Sequence, residues 1–205
     1  MPGPHGARRA PVTRRAAVLA LGILFSGSAA LAQAPGDPVR GEVKAKACES
    51  CHGKRGGAPL EGMPSLAGQP EVFLALQLIL LREGLREVPQ MAAFTKGLSD
   101  QDITDISAHF ARQTPARNSA GRDTGLFARG AALSKAMNCG SCHRADYAGQ
   151  RQMPRLAGQR EDYLLASMKA FRDNRRTGTD TSMNGVLYLV PDSDIRALAH
   201  YLARQ

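Results

Sequence analysis

Cys48-Glu49-Ser50-Cys51-His52 decides how this chain is read, because the pattern occurs again as Cys139-Gly140-Ser141-Cys142-His143. Two cysteines with two residues between them and a histidine directly after are the attachment pattern of a c-type haem. The spacing has a chemical reason. Each thiol adds to one vinyl group of a porphyrin, and two intervening residues match the separation of those vinyls. The adjacent histidine then turns its imidazole to the iron. The pattern therefore assigns Cys48, Cys51, Cys139 and Cys142 to two covalently bound haem c groups, and His52 and His143 to axial ligation of iron.

Other uses of four cysteines fit less well. A zinc ribbon sets its cysteine pairs about 15–20 residues apart, whereas these motifs start 91 residues apart. A disulfide across two residues suits a redox-active site better than a structural staple. The motif also appears twice and consumes every cysteine in the chain.

The N-terminus reads as an export signal. Arg8, Arg9, Arg14 and Arg15 precede an apolar run from Ala16 to about Leu24, and small residues end in Ala30-Leu31-Ala32. That order matches a signal peptide over residues 1–32, with cleavage expected near Ala32 or Ala34. Gly22, Ser26, Gly27 and Ser28 break the run too often for a good membrane span; the alternative is an uncleaved leader acting as an anchor. Thr13-Arg14-Arg15 faintly resembles a twin-arginine signal, but haem c is attached outside the cytoplasmic membrane, which favours export of an unfolded chain. The expected location is the periplasm, where thioether bonds would protect all four thiols from oxidation.

The formal charge of +9 falls to about +5 without the four leader arginines. Residues 35–113 hold nine Lys/Arg against ten Asp/Glu, a charge of −1, whereas residues 114–205 hold fourteen against eight, a charge of +6. An exported chain without an aromatic-basic cluster argues against nucleic acid as a partner. The asymmetry predicts that the halves face differently charged partners; some of the arginines would instead neutralise haem propionates.

Beyond the leader the chain is a duplication with a period of 90 to 92 residues. Met63-Pro64-Ser65-Leu66-Ala67-Gly68-Gln69 returns as Met153-Pro154-Arg155-Leu156-Ala157-Gly158-Gln159, and Ala111-Arg112-Gln113 returns as Ala203-Arg204-Gln205. The expected domains are 35–113 and 127–205, joined by a polar linker at 114–126. Each half reads as helical. Helices are expected from about Gly41 into Cys48 and from Gly130 into Cys139, then over Glu71–Glu83 and Glu161–Asp173. A final helix follows Ser99, where Asp102 completes a weak capping box; its counterpart carries Ile195, Leu198 and Leu202 at helical spacing.

The sixth ligand decides the chemistry. Met91 and Met183 stand 39 and 40 residues after His52 and His143, in stretches read as irregular, each seven residues before the matched Leu98 and Val190. Their equivalent placement makes them the candidate axial ligands; a thioether there raises the potential. Met63 and Met153 follow the histidines too closely, Met137 abuts a motif and Met168 lies on an apolar helical face. His109 and His200 are one register apart in the repeat and read as surface or packing residues.

These residues resemble class I cytochromes c, and the duplication resembles the di-haem cytochrome c4 family. The resemblance spans nearly all of the chain after the leader and rests on both CxxCH motifs, the Pro-x-Leu-x-Gly segments, the downstream methionines and the Asp-rich start of each final helix. It implies an all-α fold of two tandem class I cytochrome c domains related by a pseudo-twofold, with the carbonyls of Pro64 and Pro154 accepting from the haem histidines. Two departures stand out. Val190-Pro191 replaces the usual Leu-Ser entry to the last helix, and Gly84–Gln90 lacks the Lys/Arg-Thr pair that Arg176-Thr177 keeps.

The resulting expectation is an electron-transfer protein rather than an enzyme. It would carry single electrons from a quinol-oxidising complex or a dehydrogenase to a terminal oxidase or other acceptor, with peripheral membrane association compatible with such partners. The alternatives are the cytochrome subunit of a periplasmic dehydrogenase, such as flavocytochrome c sulfide dehydrogenase, and a haem enzyme or gas sensor with one open coordination site.

Overall fold

The first helix of each half starts at an aspartate whose side chain satisfies the helix's first free amides. Asp37 accepts from the amides of Val39 and Arg40, and Pro38 occupies the first turn, so α1 spans Pro38–Ala45. Asp123 does the same for the Leu126 amide, at 2.8 Å, and α6 spans Thr124–Ala136. Both helices begin earlier than expected, because the capping aspartates lie upstream of Gly41 and Gly130. The computed structural model describes residues 1, 3, 34–115, 121–176 and 181–205. Apart from residues 1 and 3, the leader expected at 1–32 lies outside the described residues, as do residues 116–120 of the expected linker.

The remaining helices repeat in the same order in both halves. Short helices α2 (Glu49–His52) and α7 (Cys139–His143) carry the CxxCH motifs, and α3 (Glu71–Arg82) and α8 (Glu161–Arg172) follow the proline loops. Then come α4 (Pro89–Thr95) and α9 (Ser182–Leu187), and finally α5 (Asp100–Ala111) and α10 (Asp192–Leu202). No strand occurs among the described residues, only an isolated bridge between Gln150 and Met153. Residues Gln33–Gln205 form one unit that holds both halves.

In each half the first helix crosses the last with almost no side chain between them. A Cβ on Gly41 would collide with the Asp105 carbonyl of α5, and one on Gly130 with the Ala197 carbonyl of α10. The glycines are therefore needed for backbone contact and not for their dihedral freedom. The expected capping box is present at α5, where Ser99 and Asp102 exchange bonds. At α10 Pro191 offers no such cap. The Asp192 carboxylate instead holds Lys169 and Arg172 of α8.

The α1–α5 crossing of the first half also encloses a carboxylate. Asp105 has no accessible side-chain surface and accepts from Arg40 Nε at 2.9 Å, the Asp37 amide at 2.8 Å, Gln101 at 2.9 Å and Lys44 at 3.0 Å. The Arg40 guanidinium leads these partners in holding the carboxyl well below its usual range, against the opposing effect of burial. In the second half Ala197 makes the equivalent crossing, and Arg129 pairs with Asp194 instead. Apolar packing completes each half. Leu74, Ile106 and Phe110 pack in the first, and Leu164, Met168, Leu187, Ile195, Leu198 and Leu202 in the second.

Two outcomes follow for stability. Gly41→Ala or Gly130→Ala overpacks a backbone contact and is expected to cost about 3 kcal/mol, measured by denaturant unfolding of the haem-loaded protein. Asp105→Asn destabilises at pH 7, and its sign with pH is set. A carboxyl depressed in the folded state contributes above its ordinary value of 3.8 and loses that contribution as pH falls through its folded value. The gap between wild type and Asp105→Asn therefore begins to narrow below about pH 4 and closes only as pH approaches the much lower folded value, which unfolding curves across that range should show.

Candidate functional site

One helical turn is all that each CxxCH motif needs. The His52 amide bonds the Cys48 carbonyl at 3.0 Å, and Gly53 at φ 75° ends the turn. In α7 the same exit is made by Arg144 at φ 70°. Each turn brings its cysteines and histidine to one side, and all four thiols are free of disulfides. Burial pushes the Cys48 and Cys139 thiols up.

Both motif histidines are buried, at 4% and 5% exposure. The Nδ1 of His52 lies 3.0 Å from the Pro64 carbonyl, and that of His143 lies 2.9 Å from the Pro154 carbonyl. A carbonyl can only accept, so Nδ1 carries the proton in each ring and Nε2 keeps its lone pair. Burial pushes both imidazoles down, against the opposing effect of the proline carbonyls. The His52 Nε2 is buried and has no protein partner. An orphaned imidazole nitrogen facing a cavity is the atom an iron would take.

That cavity has a volume of about 1340 Å³ and belongs to both halves at once. Cys48, Cys51, His52 and Met91 line it from one half, and Cys139, Cys142, His143 and Met183 from the other. Its walls include Leu74, Ile106 and Phe110 of the first core and Leu164, Leu198 and Leu202 of the second. A space of this size, apolar along its walls and fringed by four thiols and two oriented imidazoles, fits haem. His109 and His200 do not line it. Both are buried, and His200 accepts from the Asp123 amide at 3.0 Å while its other nitrogen faces Glu161.

Met91 and Met183 were expected in irregular stretches, but each lies in a short helix, α4 and α9. Pro89 presets the first turn of α4, and Thr95 Oγ1 bonds the Met91 carbonyl at 3.1 Å. α9 is tied to α8 by Asn184, which donates to the Phe171 carbonyl at 2.8 Å. Helices of seven and six residues are too short for periodicity to reveal. Met168 is buried in the second core, as expected.

A polar cluster on the cavity wall went unread in the sequence. Arg86 donates to Gln77 at 2.7 Å and reaches the Tyr163 hydroxyl at 3.5 Å. Arg176 reaches the same hydroxyl at 3.4 Å and Gln77 at 3.5 Å. The two arginines are 90 residues apart, the period that relates Pro64 to Pro154. Neither has a carboxylate partner among the described residues. Burial raises the Tyr163 phenol, but the charges of Arg176 and Arg86 bring it down to about 7. Burial also pushes the Arg176 guanidinium down. Two cations beside a half-buried phenol, without a carboxylate of their own, suit carboxylates, and haem carries two of them.

Residues 127–205 match the family described as cytochrome c, and residues 40–110 the one described as cytochrome C oxidase, cbb3-type, subunit III. Cytochrome c4 of Pseudomonas aeruginosa is 34% identical over 191 residues, which cover 88% of this chain and 94% of that one. The chain belongs to the cytochrome c4 family. The crystal structure of reduced recombinant cytochrome c4 from Pseudomonas stutzeri matches with a TM-score of 0.77 at 31% identity, over 82% of this chain and 98% of that one. The thiosulfate dehydrogenase electron acceptor of Thiomonas intermedia is 33% identical over 207 residues, 95% of this chain and 92% of that one. Like cytochrome c4, this chain is a di-haem electron carrier of two class I cytochrome c domains with two covalently bound haem c groups.

Proposed function

We propose that the chain is a periplasmic carrier whose irons are held by His52 and Met91 in one half and His143 and Met183 in the other. The thioethers would come from Cys48 and Cys51, and from Cys139 and Cys142, within domains 35–113 and 127–205. The observation that carries this reading is the pair of buried histidines, each with Nδ1 spent on a proline carbonyl and a repeat-matched methionine on the wall of the same cavity. Haem c bound there supplies a one-electron Fe(III)/Fe(II) couple.

The protein's part is to hold still and to exclude water. Pro64 and Pro154 fix the imidazole planes, and α4 and α9 present the methionines from short, pinned helices. Two protein ligands per iron leave no position for substrate, so the role is carriage and not catalysis. Leu74, Phe110, Leu164 and Leu202 keep the surroundings apolar, which favours the less charged, reduced centre. Arg86 and Arg176 would receive the propionates where the halves meet. Export under the residue 1–32 leader agrees with attachment of haem outside the cytoplasm, and among the described residues no helix is long and apolar enough to cross a membrane.

The likeness to a thiosulfate dehydrogenase electron acceptor supports a periplasmic dehydrogenase as donor. A terminal oxidase is the acceptor that this reading supplies. The basic second half, at +6, would meet an acidic partner surface.

Carbon monoxide tests the ligand set. The absorption spectrum of the dithionite-reduced protein should be c-type and unchanged by the gas. Met91→Ala and Met183→Ala should each open one iron, so that half of the haem binds carbon monoxide. A Soret shift in the wild type would overturn the reading.

A further inference from the structure

Each half reaches across to the other at one particular peptide. The Gln159 side-chain amide, from the second half, accepts from the Ser65 amide at 2.7 Å and donates to the Ser65 carbonyl at 2.9 Å. The Gln69 side-chain amide, from the first half, accepts from the Arg155 amide and donates to the Arg155 carbonyl, both at 2.9 Å. Gln69 and Gln159 are both buried, at 4% exposure. Ser65 directly follows Pro64, and Arg155 directly follows Pro154.

The Pro64 carbonyl and the Ser65 amide are two ends of one planar group. A peptide whose N–H is donated becomes a better acceptor at its oxygen, because hydrogen bonds in series polarise one another. The relay runs from Gln159 Oε1 through the Pro64–Ser65 peptide to His52 Nδ1. Its mirror runs from Gln69 Oε1 through Pro154–Arg155 to His143 Nδ1. We propose that Gln69 and Gln159 are positioning residues acting crosswise, each tuning the iron held by the other half's histidine. The proposal rests on the assignment of His52 and His143 as iron ligands.

The sign follows from the chemistry. A stronger acceptor at Nδ1–H makes the imidazole a stronger donor to iron, which favours the ferric state and lowers the potential. Removing the glutamine weakens the relay, so the potential of the opposite half's iron rises. The side chain is specific to the task. An amide both accepts and donates, whereas an asparagine is one methylene shorter and a methionine of similar length does neither.

The two directions are not equivalent. The first-half loop is also held from the second half by Arg160, which donates to the Ala58 carbonyl at 3.2 Å, and by Asp162, which accepts from the Gly62 amide at 2.8 Å. Their repeat counterparts, Pro70 and Val72, have no side chain able to do this. Gln159 can therefore be changed while Arg160 and Asp162 keep the loop docked, which separates its electronic effect from undocking.

The test uses the haem-loaded protein, with proton NMR signals of each haem assigned to its half and followed through a redox titration. The wild type should show two low-spin irons with histidine on each. Gln159→Met should raise the potential of the first-half iron and leave the second close to its wild-type value; Gln69→Met should do the reverse. Gln159→Glu, which keeps an acceptor for the Ser65 amide, should hold the first-half potential at or below wild type. A shift confined to the mutated half, an equal shift in both, or none would overturn the proposal while leaving the ligand assignment intact. A wild type without histidine-ligated irons would overturn both.

Discussion

The hydrogen bonds from His52 to the Pro64 carbonyl and from His143 to the Pro154 carbonyl determine what the rest of the molecule must do. Each bond spends one ring nitrogen and thereby frees the other. It holds the imidazole plane in a buried place where a free ring would be costly to orient. For the bond to persist, the loop after each motif has to be fixed against solid structure. The Ser65 hydroxyl bonds the Gly56 carbonyl, the Leu66 and Tyr147 turns close on the same loops, and the glutamine of the opposite half clamps the next peptide. The duplication is thus more than two copies side by side, since each copy's proline loop is completed by the other.

Symmetry in the binding machinery coexists with divergence in the scaffold. The α1–α5 crossing is locked by the buried Asp105 and its cations, whereas α6 and α10 are joined by Arg129 and Asp194 and by the contact of Tyr201 with Phe127, and Tyr201 also packs on Tyr147 of the loop after α7. The first half therefore loses stability in acid through a group that the second half does not have. At the seam, Tyr163 stands where the first half has Phe73, so a single phenol receives both repeat-related arginines. The two halves thus repeat one order of helices with different fastenings.

Much of this was legible because it is local. The CxxCH motifs and helices α3, α5 and α8 declare themselves over five to twelve consecutive residues, the Ser99–Asp102 box marks its own helix start, and the period shows as short matched segments 90 to 92 residues apart. Asp37-Pro38 and Asp123 are equally local signals and start α1 and α6, whereas Gly41 and Gly130 are crossing points inside those helices. Met91 and Met183 could be matched by the repeat, although their helices were too short to be seen. The arginine–tyrosine cluster and the crossed glutamines could not be read at all. They join residues 77 to 99 positions apart in different halves, and only the docking of the halves brings them together. Gln69 and Gln159 were visible as a repeated letter without any indication that each serves the other copy.

That both halves open onto one cavity is the claim from which the function follows, and electron exchange within the molecule tests it most directly. A pulse of reductant delivering less than one electron per haem-loaded protein should be followed by spectral equilibration between the two haems. The rate of that equilibration should not depend on protein concentration. Equilibration that appears only as a concentration-dependent, bimolecular process would mean that the two centres do not communicate through the seam, and would contradict the account.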